Sequence, residues 1–453
     1  ARPRGVGRPA GGTAAPGGGT LTIENGGVIA AAGTFTDSAL TPVDYSAFSA
    51  VIVTNMGNLG IDSNDTFTFA TVAVASQDRD NSTVTLLSTN GVTFPNPFSS
   101  GAYTLAVKDE ATLNGSVIVP AGSRISPYKG EPLTLTVNGN LTVAGGGEIS
   151  ARGRGYAVNS GPGKGQGGSP WIGGSHGGMG AWNTAVDRTN WPGLTYGSVL
   201  NPTTMGSGGG HGSAGGTMTN DGWGGGAIRL TVSGTTTVDG AISATGARGD
   251  FAGIGYTSGA GGSILLSTWD LAGSGLIDAG GATTTYEPGG GGRVAVYVTK
   301  SDGLGSVKMS ASGGQQPGNN AAAGTVHVQT KSQANGKGTV LIENAGLASG
   351  AGVVTEVPPS ITNNPAWTDD LSRVTLVITN RAYAMVRTNL FIRDLAVYTN
   401  SFLVLGVCTA TVNSVEHHLD NPALRRAGAT NLVDHYNQIV WTGYSPGTLL
   451  LFR

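Results

Sequence analysis

Side chains able to do chemistry are few in this chain and widely spaced. Asp62-Ser63-Asn64-Asp65 and Asp78-Arg79-Asp80-Asn81 offer oxygen ligands of the kind calcium takes. Neither is a full EF-hand loop or a Gly-Gly-x-Gly-x-Asp repeat, and Asp and Asn dominate turns for their own hydrogen-bonding reasons, so both stretches read as turns and no cofactor is expected. His417-His418 has no cysteine or carboxylate spacing to complete a metal site. Asp239, Asp270, Asp278 and Asp302 are scattered among turn residues rather than paired as an acid and a base, so the chain reads as a non-enzyme. Arg152, Arg229, Arg248 and Arg293 carry the charge to hold a polyanionic sugar or simply to keep an uncharged surface soluble. The glycine runs at 208–210 and 289–292 lack the Lys-Ser or Lys-Thr of a phosphate loop and read as turns. The threonine runs at 235–237 and 283–285 are too few for an ice-binding face. Cys408, the sole cysteine, forms no internal disulfide and reads as a small buried residue among apolar neighbours.

The elements that must position these residues are set by an unusual composition. Glycine supplies 78 of 453 residues and charged residues 11%, against a usual share of roughly 7% and 25%. Glycine without a strict three-residue period excludes collagen, and 38% hydrophobic residues suffice for a core. A formal net charge of −2 gives no basic field for nucleic acid, and no apolar run reaches the length of a membrane helix. A β-rich, loop-rich protein is what remains.

Internal repeats decide the fold class. Gly226-Ala-Ile228-Arg-Leu230-Thr-Val232, Gly262-Ser-Ile264-Leu-Leu266, Gly292-Arg-Val294-Ala-Val296-Tyr-Val298 and Gly324-Thr-Val326-His-Val328 share a period-two apolar pattern. A second unit follows the first three: Ile242-Ser-Ala244-Thr-Gly246, Ile277-Asp-Ala279-Gly-Gly281 and Met309-Ser-Ala311-Ser-Gly313. An earlier copy pairs Leu133 to Val137 with Ile149-Ser-Ala151-Arg-Gly153. Successive first strands at Ile228, Ile264, Val294 and Val326 step by 36, 30 and 32 residues. Such a period predicts an all-β, parallel β-helix or solenoid, right-handed because parallel crossovers prefer that hand. Ala151, Ala244, Ala279 and Ala311 would form one interior ladder, and Arg229, Thr231, Ala295, Tyr297, His327 and Gln329 would face outward. The alternative, a sandwich of antiparallel hairpins, does not require similar strands at this spacing.

Four regions follow: a Gly/Pro/Arg tail at 1–19, a β-rich region at 20–126 that reads as a sandwich or an irregular solenoid start, the repeats at 127–346 with a Gly-rich insertion at about 154–225, and a β-rich region at 347–453. In the last, strands about twenty residues apart suggest shorter coils. The insertion carries Trp171, Trp182, Trp191 and Trp223, either a packed loop cluster or a surface for a glycan or a second subunit.

The stretches Gly289 to Val298, Gly261 to Leu266 and Gly240 to Gly246 resemble Gly-rich repeat proteins of bacteria, which are secreted and often very large surface proteins. The resemblance covers roughly 133–346 and implies a parallel β-helix, an extracellular location and a structural or adhesive role, with no catalytic residue to carry over. A chain opening at Ala1 without Met fits removal of a secretory leader. Arg2, Arg4 and Arg8 in the tail, and Leu449, Leu450, Leu451 and Phe452 near the other terminus, are the expected assembly elements, an arm and an added strand. The expected function is a subunit that joins itself head to tail in an extracellular filament, sheath or surface layer. The rival is a carbohydrate-binding adhesin or polysaccharide-active enzyme. Asn64, Asn81, Asn114 and Asn140 stand in glycosylation sequons.

Overall fold

The computed structural model describes residues 110–127 and 131–413, except 165–171, 183–192, 211–221, 252–253, 351, 362–366, 399 and 406–407, together with the backbone of short strands on either side. Every regular element among the described residues is a strand, and most pairings are parallel. The repeats align in space as they do in sequence. Ile228 pairs with Ile264, Ile264 with Val294 and Val294 with Val326, all in parallel register. The second unit does the same, Ile149 to Ile242 to Ile277 to Met309. The first strands belong to a sheet of eleven, the second to a sheet of nine. Between them lies an apolar core that includes Ile149, Ile228, Ile242, Ile264, Ile277 and Val294. Ala151, Ala244, Ala279 and Ala311 are all buried.

The nine-stranded sheet continues in parallel into the N-terminal region through Val28–Ile29, Asn58–Ile61, Thr83–Leu86 and Thr104–Val107. The pairings found are therefore not those of a hairpin sandwich. After Gln329 the direction reverses. Thr325–Gln329 and Thr339–Glu343 pair antiparallel, and parallel pairing then resumes through Thr375–Thr379 and Asp394–Val397. From there strand steps shorten as expected, with Tyr383 opposite Phe402 and Leu390 opposite Ala410.

The reversal also exchanges the faces of the sheet. One ladder runs Arg229, Leu265, Ala295, His327, Val340, Leu376, Leu395. It starts exposed at Arg229 and ends inside a second core formed by Val340, Leu376, Leu395 and their neighbours. The face outside the first core is thus continuous with the inside of the second. The insertion covers that face beside the second core, with Val199 buried there and Leu200 packed against it. Ala295 and His327, expected to face solvent, are consequently 0% and 1% exposed, whereas Arg229 and Thr231 are exposed as expected. Strand alternation is right about the side of the sheet and silent about what lies over it.

Most of the glycines near the repeat corners are not turn residues. Gly259, Ala260, Gly261 and Gly262 donate their N–H groups to the carbonyls of Ala247, Ser207, Gly290 and Ala244 in turn. The first and fourth donors reach the same segment, while the middle two each reach a different one. Gly289, Gly290, Gly291 and Gly292 repeat the scheme, donating to Ala282, Gly174, Ala322 and Ala279. Three residues per turn is the period of an extended polyproline-II-type chain, which makes no internal hydrogen bonds and offers each peptide to a different neighbour. The runs at 208–210 and 289–292 are therefore extended members of a hydrogen-bonded array rather than turns. Their spacing admits no side chain: a Cβ on Gly261 would overlap the Ala279 carbonyl, and one on Gly224 the Gly206 carbonyl.

Gly261→Ala should accordingly lower unfolding free energy by about 3 kcal/mol, as overpacking of a rigid interior does. Gly145→Ala, where a Cβ meets nothing within 4 Å, should change it by less than about 0.5 kcal/mol. Chemical denaturation of the two variants measures the contrast.

Candidate functional site

Two polar assemblies stand out. The first is a seam between the insertion and the outer face of the eleven-stranded sheet. Arg293, wholly buried, lies in the same register as Ser263 and Thr325. Its Nε donates to the Tyr196 carbonyl at 2.9 Å and a terminal nitrogen to Thr325 Oγ1 at 3.0 Å. Burial lowers its pKa to about 10, which leaves it cationic at neutral pH. His176 bonds through Nδ1 to the Gly261 carbonyl and through Nε2 to Thr204 Oγ1, each at 2.8 Å. A carbonyl can only accept, so Nδ1 carries the proton and Nε2 accepts from the threonine. Desolvation and the nearby Arg293 charge push the His176 pKa down to about 3, so the ring stays neutral. Tyr196 Oη donates to the Met205 carbonyl at 2.6 Å, and burial raises its pKa.

Carboxylates close the seam on the C-terminal side. Glu356 accepts from Thr195 Oγ1 at 2.7 Å and pairs with Arg387. Asp369 accepts from Ser198 Oγ at 2.5 Å and from the Val199 backbone N–H at 2.6 Å. The hydrogen bonds here join the insertion to the repeats and to the C-terminal region, and Asp369 and Glu356 offset the Arg293 charge. The seam is a mooring.

The second assembly is a groove of about 230 Å³ on the outside of the nine-stranded sheet. Arg124–Pro127, Glu148–Ser150, Ala241–Ser243 and Leu276–Asp278 lie side by side across it. Ile125, Ile149, Ile242 and Ile277 point into the core, so the residues flanking them on each strand line the opposite face. One ladder carries Arg124, Glu148, Ala241 and Leu276, and another Ser150, Ser243 and Asp278. Arg124 Nε bonds Glu148 Oε2 at 3.2 Å. Asp278 accepts from the Gly280 N–H at 2.9 Å, and desolvation is the largest influence on its pKa, which is raised. Arg152 and Arg154 complete the rim, both exposed.

The expected site residues are distributed otherwise. Trp182 is 7% exposed and packs with Ile172, Met179 and Val354, so it serves a core and not an open aromatic surface. Trp223 is half-buried, with its carbonyl accepting from Ala247 N–H. Trp171 and Trp191 fall outside the described residues, as do Arg2, Arg4, Arg8, Leu449, Leu450, Leu451, Phe452, His417, His418 and the two candidate calcium stretches. Arg293 is a buried anchor, neither a surface sugar ligand nor a solubilising charge. Cys408 is buried, its thiol directed at the Val386 carbonyl. Asp239, Asp270 and Asp302 bracket the turns of the next repeat, accepting from Ser274, Ser301 and Thr330. Of the seam residues, His176 stands out in the sequence only as a histidine of the insertion, and Tyr196, Glu356 and Asp369 escaped the sequence reading. A polar residue isolated in a glycine run, as in Gly174-Ser-His176-Gly, is a signal for His176, whereas Glu356 and Asp369 lie in stretches without glycine and carry none.

No protein-family model matches the chain, no curated protein matches it in sequence, and no solved structure matches its fold.

Buried titratable groups set a pH profile for stability. His327 has no hydrogen-bond partner at either ring nitrogen, and burial lowers its pKa to about 4. Unfolding returns His176 and His327 toward 6.5, so the unfolded chain binds more protons and stability is lost as pH falls below that value. Glu287, 3% exposed, is raised by desolvation from 4.5 to about 8. It holds its proton in the folded chain, so stability is lost as pH rises from 4.5 toward 8. Glu287→Gln should flatten the decline between pH 4.5 and about 8. His327→Leu should soften the acid limb and, by removing two unpartnered buried nitrogens, stabilise by about 1 kcal/mol. Denaturant titrations across pH measure both effects.

Proposed function

We propose that the stacked strands are coils of a right-handed parallel β-helix, and that the chain is a secreted structural subunit that joins end to end in an extracellular filament or surface layer. The observation that carries this reading is the continuity of the ladders. Equivalent residues of successive repeats pair rung upon rung through both large sheets. The described strand order closes with Gly19–Ile23 and Val28–Ile29 toward one terminus, and with Leu432–Val433 and Ile439–Trp441 toward the other.

A stack of this kind has two unlike ends, each a row of backbone donors and acceptors that calls for a partner. A contact between unlike ends is heterologous and does not close, so repetition yields a fibre. The polar assemblies agree with a scaffold: the seam fixes one part of the chain to another, and the turn aspartates staple each repeat to the next.

Negative-stain electron microscopy with native mass measurement should find long uniform fibres. Deletion of 1–19 should leave single particles, and Leu450→Lys should shorten or abolish the polymers. Monodisperse particles of the unaltered chain at high concentration would overturn the filament reading.

A further inference from the structure

The groove lies on strands inside the order of the nine-stranded sheet and has no part in joining ends. Three guanidiniums, Arg124, Arg152 and Arg154, line it with two carboxylates, Glu148 and Asp278. Arg124 is engaged by Glu148, and Arg152 acts on Asp278 through space. The Arg154 side chain has neither a hydrogen bond nor an ion pair with another described residue. A cationic surplus therefore sits on the rim of a concave surface in a chain whose net charge is negative.

The floor is not that of a simple anion site. Ser150 and Ser243 follow one another along the stack with Asp278 next in line, so hydrogen-bonding groups recur at a rung spacing of about 4.8 Å. Leu276, 37% exposed, adds an apolar surface beside them. A ligand suited to all of these is long, bears hydroxyls that both donate and accept, presents apolar C–H faces, and carries carboxylates at intervals for the guanidiniums. An acidic linear polysaccharide has each property. A nucleic acid does not suit, since its continuous run of phosphates would lie against Glu148 and Asp278.

We propose that this groove, lined by Arg124, Ser150, Arg152, Arg154, Ser243, Leu276 and Asp278, binds an acidic polysaccharide laid along the stack. The proposal is independent of polymerisation, because the groove is formed within one chain.

The test uses the full chain with three probes: alginate as a polyuronate, dextran as a neutral glycan and poly-glutamate as an acidic polypeptide. Alginate should bind and dextran should not, with affinity falling as salt is added. The double variant Arg152→Gln, Arg154→Gln should lose about tenfold or more in alginate affinity, since two charge-assisted contacts are removed, while its thermal unfolding is unchanged. Absence of alginate binding, or equal binding by the double variant, would overturn the site. Poly-glutamate bound as tightly as alginate would overturn the sugar assignment in favour of an acidic protein segment. Electron microscopy of the same variant keeps this outcome separate from assembly.

Discussion

Close approach of one backbone to another, possible only where a side chain is absent, is the constraint on which this architecture depends. In an ordinary sheet each strand meets two neighbours, one on either edge. The glycine segments here meet three, because their donors rotate by a third of a turn per residue. This lets one segment join the corner of its own repeat, the next repeat and the insertion at once. The glycine content is therefore the means by which three layers of backbone share one hydrogen-bonded array. It substitutes directional polar contacts for some of the apolar burial that a chain of this length would otherwise use.

From that array the two sides of the eleven-stranded sheet acquire different duties. One side closes over the first apolar core. The other changes character along the ladder, from the solvent-exposed Arg229 through the covered Ala295 and His327 to the apolar Val340 of the second core. Arg293 and His176 lie where that transition is steepest, and burying a guanidinium is tolerable there because the insertion brings a carbonyl and the C-terminal region brings Asp369 and Glu356. The polar seam and the apolar second core are thus neighbouring solutions to one problem, how to cover the outside of a sheet that is too wide to leave wet.

Much of the fold was legible because a period of two and a period of about thirty residues act together. The first fixes which side chains face inward, and the second fixes which rungs meet. Ile228, Ile264, Val294 and Val326 could be aligned from sequence and pair in that register. Glycine misled, since composition cannot distinguish a glycine needed for its dihedral freedom from one needed for its missing side chain. Gly291 belongs to the second kind and Gly318, at φ +81° with open space around a Cβ, to the first. His327 misled because a strand pattern reports one sheet and not its cover. The groove was hidden for a narrower reason: Arg124 meets Glu148 only once Ile125 is set opposite Ile149, a rung earlier than the repeat can be recognised.

The array also dictates an order of events during synthesis. Gly174 supplies the carbonyl that Gly290 requires, and Met179 the one that Ala322 requires, so each early partner emerges well before its late one. The insertion cannot dock when it is made. It must wait, with its backbone donors satisfied by water, while the later repeats are laid down beside it. Closing such sequence-distant contacts is intrinsically slow. A nascent chain that pauses within this interval exposes a glycine-rich segment and an uncovered sheet face together, which makes the speed of elongation through the repeats a determinant of whether the molecule reaches its native state or associates with another unfinished copy.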